Sequence, residues 1–564
     1  MAPPAGSLRA DLDDGLVPYP ESFCARYRAE GYWREQSLPA ELIASASRHD
    51  ERTALVTPEK RWTYGELFAT ARAFAAGLPE LTALRAGDAV MFQMGNVAET
   101  VVAYLGCLLA GLRPVCTLPQ HGVREIGLLA RHIGARGLIM QADFGRGLLP
   151  GNARALIADG AIEEVVVARG PAFGAAAGYE QVLAAGTGAS GPLPYEARGH
   201  DGIAVFQLSG GTTGLPKVAP RQHEEYAYNA RAWAESLGWG PGTVVLYPLP
   251  LMHNAGVSLA LQPVLLSGAT LALPSSAKID TVIDLIEAER PEVIPLVPPA
   301  LAIRLLETPR AATADLSSLR DFIVGGQKLL LEVARRLRDE LGIEVRQKFG
   351  MAEGMFLVTP RGAGEDVRLR TVGAPISPGD EVRILEPGTE ETVPDGALGE
   401  LCVRGPYTIR GYYRAQAHNA HSFTPDGFYR TGDLARRHWI DGQTYYSIDG
   451  RIKDVINRGV EKIHAEEVEE LIITHRGVAN AALVAMPDEV LGEKACAYLV
   501  LEPSTEPLTV TTLGEFLTTQ GLARYKLPER VEIVTELPLS NVGKVSKKDL
   551  RADVERKIAM EQGC

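Results

Sequence analysis

Along the first 450 residues, short apolar runs alternate with stretches whose apolar positions recur at helical spacing. DAVMFQM (88–94) reads as a strand, VVAYLGCLLAGL (101–112) as the body of a helix over 97–112, and GLIM (137–140) and EEVVVA (163–168) as further strands. Strands alternating with helices predict α/β architecture with mostly parallel sheets. The helix is apolar all round, which predicts burial; it stops at Arg113 and is too short to span a bilayer. A Gly/Ala/Pro-rich stretch from 170 to 198 predicts a surface loop, because the alternation resumes unchanged after it.

The pattern changes near 450. A helix over AEEVEELIITH (465–475), strands AALVAMP (481–487) and ACAYLVLE (495–502), a helix over TTLGEFLTTQ (511–520) and a strand over RVEIVTELP (530–538) follow in shorter units. They predict a compact α+β domain. The chain therefore divides into a large multi-subdomain N-terminal domain (1–450) and a small C-terminal domain (451–564).

Composition narrows the chemistry. With 46% apolar and 23% charged residues the chain is an ordinary globular protein. A formal charge of −13 and the lack of any dense Lys/Arg block argue against nucleic acid as partner, and no segment predicts a membrane span. The six cysteines are scattered, with no CxxC pair or zinc spacing, and the start MAPPAGSLRADLDDG has no apolar signal core; a reduced, cytoplasmic protein is expected.

Between the apolar run 203–208 and KVAPR (217–221) stands SGGTTGLPK (209–217). It is not a mononucleotide P-loop, since Lys217 comes three residues after Gly214 and Pro220 blocks an immediate helix. The next helix is expected over 223–237, with Gly238 as its stop. A loop between strands remains. Its freed N–H groups and the hydroxyls of Ser209, Thr212 and Thr213 suit a polyphosphate tail; a plain flexible turn is the other reading.

SGGTTGLPK resembles the phosphate loop of the adenylate-forming superfamily. FGMAEG (349–354), FYRTGDLA (428–435), DGRIKDVINRGVEKIHAEEVEE (449–470) and PLSNVGKVSKKDL (538–550) resemble four further motifs of that superfamily, in order. ESFCARYRAEGYW (21–33), the pair His253-Asn254 and RGPYTIRGYYRAQAHNAHSFTPDGFYRTGD (404–433) resemble its stand-alone aryl-acid adenylating enzymes, the 2,3-dihydroxybenzoate–AMP ligase group. The resemblance implies an acyl-adenylate synthetase fold with a small mobile C-terminal domain. It also implies ATP and Mg²⁺ as cofactors, and attack of a carboxylate on the α-phosphate.

By that resemblance Lys544 is the catalytic lysine, and Glu353 the magnesium ligand, a hard carboxylate for a hard cation. ATP would be bound by Ser209, Gly210, Gly211, Thr212, Thr213, Gly214, Lys217, Gly326, Phe349 (stacking on adenine), Gly350, Asp433 (on the ribose) and Arg451. Lys453 falls at the hinge about which the small domain turns before a thiol attacks. Val460 in NRGV departs from a common second glycine, and the segment from Asp433 to Arg451 implies a longer hairpin.

His253 would sit beside the substrate carboxylate. Asn254 stands where amino-acid-activating domains carry an aspartate, and an amide suits a phenolic hydroxyl or ring nitrogen better than an ammonium. Ala255, Gly256, Gln327, Lys348 and Phe356 complete the expected substrate pocket, wider at 255–256 than usual. Lys348 either pairs with an acidic substituent or lies at the surface. The expected substrate is an ortho-substituted aromatic acid, a hydroxybenzoate or a larger or nitrogen-containing hydroxyaryl acid. Only twenty residues follow Lys544, with no carrier-protein pattern, and a free-standing enzyme that hands on its aryl-AMP is expected. The acceptor is a phosphopantetheine thiol of an aryl carrier protein or, alternatively, CoA. A catalytically inactive nucleotide-binding regulatory protein is the reading from another class.

Overall fold

The computed structural model describes residues 12–562 apart from 198, 210–215, 328, 330, 459–460, 489–490, 504 and 540–543. A seven-stranded sheet runs in spatial order Ala177–Gly178, Glu164–Ala168, Ala135–Gln141, Ala89–Gln93, Arg113–Val115, Ile203–Ser209 and Lys217–Gln222. A nine-stranded sheet runs Ala374–Pro375, Phe356–Val358, Val345–Gly350, Asp321–Gly325, Val293–Val297, Val244–Leu246, Thr270–Ala272, Thr53–Val56 and Arg61–Thr63. Antiparallel pairing is confined to their edges. The expected α/β core is present.

Side-chain alternation along the strands separates three cores. Val90, Phe92, Val245 and Ile323 face the space between the two sheets, where the helices Tyr64–Leu81, Ala98–Leu109 and His223–Leu237 lie. Ala89 and Met91 face the outer helices Val123–Ile133 and Leu149–Ala158. Phe322 and Val324 face Ile279–Glu289, Pro299–Glu307 and Leu331–Leu341. The central position explains why Ala98–Leu109 is apolar all round; it ends three residues earlier than its pattern, and Arg113 opens a strand instead. The helix His223–Leu237 ends, as expected, at a left-handed Gly238. No helix among the described residues is long and apolar enough to cross a membrane.

The Gly/Ala-rich stretch is not a plain loop. It forms the edge strand Ala177–Gly178 and the helix Tyr179–Gly186, which packs on Tyr64–Leu81. Small residues read as loop because they lack side chains to show a period, whereas here they permit backbone contact. A Cβ at Gly186 would overlap the carbonyl oxygen of Ala73, and one at Gly77 that of Val182.

A four-stranded antiparallel sheet, Glu381–Leu385, Gly399–Arg404, Tyr429–Ile440 and Gln443–Arg451, covers the next segment. Its long final hairpin turns through Asp441 and Gly442, both at positive φ (49° and 78°), as a two-residue hairpin loop demands. From Val455 the strands belong to another sheet, built on Val478–Asp488 and Gly492–Leu501. Helices Ala465–Ile473 and Val510–Thr519 cover one face. The other is covered by Lys547–Gln562, a helix that the periodicity did not announce. The strand expected over 530–538 is shorter, Arg530–Ile533.

Helix propensity alone would make Gly186→Ala stabilising by about 1 kcal/mol. The contact with Ala73 reverses the sign, and a loss of about 1–3 kcal/mol is expected. Calorimetric melting of the two proteins decides, and a raised midpoint in the variant would mean the helices can move apart freely.

Candidate active site

Parallel sheets expose the carboxyl ends of their strands to ligands, and the expected site residues collect there. Asp321–Gly325 and Val345–Gly350 are parallel neighbours that end at Gly326 and at the turn carrying Glu353. Ser209 ends its strand in the other large sheet and pairs across the edge hairpin with Lys217. Gly210, Gly211, Thr212, Thr213 and Gly214, between them, lie outside the described residues, as does Val460.

Glu353 is buried, in a turn rather than a helix, and accepts a hydrogen bond from the Tyr412 hydroxyl. The Tyr412 oxygen lies 2.7 Å from that of Tyr429, and the Lys217 ammonium stands 4.9 Å from the centre of the Tyr412 ring. Burial lowers the Lys217 pKa while the Glu353 charge opposes it. Phe349 is half-buried against the cluster holding Met355, Leu357 and Tyr412. Gly350 pairs with Phe356 across the neighbouring strand.

The hairpin register sets Asp433 opposite Arg451, with Nε 2.8 Å from Oδ1. Burial pushes the Asp433 carboxyl up, and the Arg451 and Lys544 charges pull it back. Lys544 comes from the far side of the site. Its Cε would lie 3.4 Å and its Nζ 3.9 Å from a Cβ on Gly326, whose φ of +88° already suits glycine. Lys544 is exposed as a residue, yet its ammonium reaches in far enough for lost hydration, and the Arg451 and Lys453 charges, to lower its pKa against the pull of Asp433. Lys453 lies between sheets, where Arg551 bonds its carbonyl (3.4 Å) and pairs with Asp454.

His253 caps the short helical turn Asn254–Gly256, its Nδ1 accepting the Ala255 N–H at 3.2 Å. The other ring nitrogen, Nε2, therefore carries the proton. Burial, with the Lys544, Lys348 and His121 charges, pushes the His253 pKa down to about 4, so the ring is a neutral donor. The helix continues through a π-type stretch, Val257–Leu261, where the Trp233 indole N–H bonds the Leu259 carbonyl at 3.1 Å. Asn254 is buried and its Oδ1 has no hydrogen-bond partner among the described residues. Ala255 is buried too. At Gly256 packing demands glycine, because a Cβ would overlap the Leu251 carbonyl. Gln327 is exposed at the strand end. Phe356 is buried edge-on to Trp233, centroids 5.6 Å apart. Lys348 is buried, which removes the surface alternative.

Cationic side chains thus outnumber the two carboxylates, which suits a site that must seat a polyphosphate and a carboxylate together. Tyr412 and Tyr429 escaped the sequence reading although both stand inside quoted motif segments. Their signal was a phenol with no reason to be buried. Behind the site, the Tyr407 hydroxyl donates to Asp380 Oδ2 (2.7 Å) and accepts the Phe356 N–H (3.1 Å).

A family model described as "AMP-binding enzyme" matches residues 42–413, and "AMP-binding enzyme C-terminal domain" matches 467–544. The chain is 41% identical over 547 residues to pyochelin synthase PchD of Pseudomonas aeruginosa, covering 97% of each. It is 39% identical over 551 residues to a salicylyl-CoA synthase / salicylate adenylyltransferase of a Streptomyces species, covering 96% of this chain and 98% of that one. Among solved structures it is similar to ATP-bound MatB from Rhodopseudomonas palustris, with TM-score 0.81 and 26% identity over 92% of this chain and 99% of that one.

Burial pushes the Asp380 carboxyl up to about 8, against the Tyr407 hydroxyl and Ser377 backbone bonds that favour its charge. Between pH 4 and that value the folded chain holds a proton that the unfolded chain has released, so this group makes stability fall as pH rises. Asp380→Asn keeps an acceptor for Tyr407 and removes the titration. Its melting midpoint should exceed the parent's by an amount that grows from pH 5 to pH 8, with a ceiling of about 1.4 kcal/mol per pH unit. A pH-independent difference in calorimetry would refute the assignment.

Proposed function

Because this chain belongs to the AMP-binding enzyme family and activates an aryl acid with ATP to its aryl-AMP, we propose that the acid carries an ortho hydroxyl and that the product passes to a carrier-protein phosphopantetheine thiol. The setting is nonribosomal peptide or siderophore-like biosynthesis. The observation that carries the choice of acid is the buried Asn254 side-chain oxygen, Oδ1, with no donor among the described residues, next to a neutral His253. A phenolic O–H supplies the missing donor, whereas an amino acid's ammonium would need a carboxylate there.

The residues divide the chemistry. Lys544 holds the substrate carboxylate against the α-phosphate and offsets charge as it develops; His253 Nε2–H donates to the carboxylate without adding charge. Asp433, held by Arg451, takes the ribose; Phe349 takes the adenine; Gly326 and Gly350 border the nucleotide at the strand ends, where their missing side chains leave room for Lys544 and for the Phe356 ring. Ser209, Lys217 and the loop 210–214 take the phosphates. A Mg²⁺ ion fits the buried Glu353 carboxylate, one of whose oxygens is already oriented by Tyr412. When bound, the ion neutralises phosphate charge. Around the acid stand Ala255, Gly256, Gln327, Lys348 and Phe356.

After adenylation the small domain (451–564) turns about Lys453, withdrawing Lys544 and admitting the thiol. The described cysteines are free thiols, which suits a reducing cytoplasm. CoA as acceptor is the second reading, favoured by the double name of the Streptomyces relative.

Acid-dependent ATP–pyrophosphate exchange tests the first half. Salicylate-type acids should exceed benzoate by about 10²-fold or more, because benzoate leaves Asn254 unpaired, and Lys544→Ala should abolish the signal. Preference for benzoate, amino acids or fatty acids would sink the choice of acid. Competition between CoA and carrier proteins for the preformed adenylate decides the acceptor.

A further inference from the structure

Lys348 has a chemistry that none of these roles uses. It lies in the strand Val345–Gly350, in register with Gly325, and is only 7% exposed. Its stem crosses Gly325, where a Cβ would come within 2.9 Å of its Cγ; its ammonium ends 3.4 Å from where a Cβ on Gly350 would be. The rings of Phe356 and Trp233 stand 5.1 and 5.6 Å from Nζ. They attract a cation but accept none of its three N–H bonds in the manner of an oxygen. No hydrogen bond or ion pair joins the ammonium to any described residue, whereas the buried arginines Arg221, Arg231 and Arg346 meet Glu225, Glu41 and Asp321.

A leucine or methionine would fill the same room between two glycines and two aromatic rings without the cost of burying a charge. The ammonium is also near enough to His253 to depress its ionisation, and Lys544 in turn acts on Lys348. Lys348 stands over Gly325 and Lys544 over the next residue, Gly326, so both reach the strand end at which the proposed function places the acid. Lys544 serves the carboxylate being activated, over Gly326; Lys348, over Gly325, is left for another group.

We propose that Lys348 determines specificity by binding a second oxyanionic group of the aromatic acid, a carboxylate or phenolate oxygen placed on the ring apart from the carboxylate that is activated. The inference rests on the reading of the chain as a hydroxyaryl-acid adenylating enzyme. It narrows that class to hydroxyaryl acids that carry a further acidic substituent besides the activated carboxylate and the ortho hydroxyl.

The test is pyrophosphate exchange with salicylate and with its carboxy- and hydroxy-substituted forms at each free ring position. At least one disubstituted acid should exceed salicylate in kcat/KM by about 10- to 100-fold, the range of one charge-assisted bond. In Lys348→Met and in Lys348→Gln, each checked for parental melting, that ratio should collapse towards one. Two variants are used because one of them can fail to fold. A parent enzyme that prefers salicylate itself, or a ratio unchanged in the variants, overturns the role of Lys348 while leaving adenylation standing. Silence of the parent with every aryl acid overturns the underlying reading, and the inference with it.

Discussion

One buried guanidinium holds the two halves of the core in register. Arg221 is on the edge strand of the seven-stranded sheet and bonds Glu225 twice, at 2.9 and 2.7 Å, from the first turn of the following helix. Its remaining N–H groups reach the carbonyls of Ala352 (3.1 Å) and Tyr407 (3.0 Å) and the side chain of Asn229 (3.3 Å). Ala352 belongs to the turn after the nine-stranded sheet's Val345–Gly350, and Tyr407 to the loop leading to Tyr412. Both partners are essentially out of water, so this pair stabilises only because each guanidinium nitrogen meets an acceptor. Its geometric effect is the larger one. The same fork sets the carbonyl next to Glu353, the approach to Tyr412 and, four residues back along its own strand, Lys217.

The second side of the site depends on a hairpin. Asp433 and Arg451 are eighteen residues apart in sequence and directly opposed in space, because a tight Asp441-Gly442 turn closes two long strands and a bulge between Leu434 and Ala435 shifts their pairing by one residue. A slip of one residue would send every side chain to the other face. Arg451 is then both the partner of Asp433 and the last residue of its strand before the turn Ile452–Asp454 that bears Lys453. Arg551 bonds the Lys453 carbonyl and Asp454 from the final helix, on which Lys544 also converges from three residues upstream of its start. Rotation of the small domain about Lys453 would have to break or carry that clasp.

Much of this was legible in the chain. Alternation announced the parallel sheets; apolar positions at helical spacing over 223–237, and Gly238 after them, announced a helix and its stop; the motif residues Glu353, Asp433, Arg451 and Lys544 were named before their meeting could be seen. What escaped did so for physical reasons. The helix Tyr179–Gly186 is recognised by its partner, whose carbonyl touches Gly186, and not by a period of its own. Gly256 looked like a widening of the pocket, yet its missing Cβ faces the Leu251 backbone. Arg221 reads as any strand arginine until Glu225, Ala352 and Tyr407 close around it. Tyr412 and Tyr429 gain meaning only through a carboxylate that lies some sixty residues away from one of them.

Two lysines, Lys544 and Lys348, and the His253 imidazole stand close together, and burial assigns them different charges. His253 is neutral because lost hydration and the neighbouring lysines act in the same direction on it. Had it been charged, the site would carry a further cation opposing Lys544 and gain nothing in hydrogen bonding, since Nδ1 is committed to the Ala255 N–H. In the proposed mechanism the neutral ring keeps Nε2–H for a carboxylate without adding charge, and Lys544 is the charge that answers the α-phosphate. Lys348 is pushed to about 7 by the same two causes, burial and Lys544. Unlike the imidazole it would gain from charge with an oxyanion beside it, which favours its protonated form. That coupling explains how a lysine persists where an apolar side chain would pack as well.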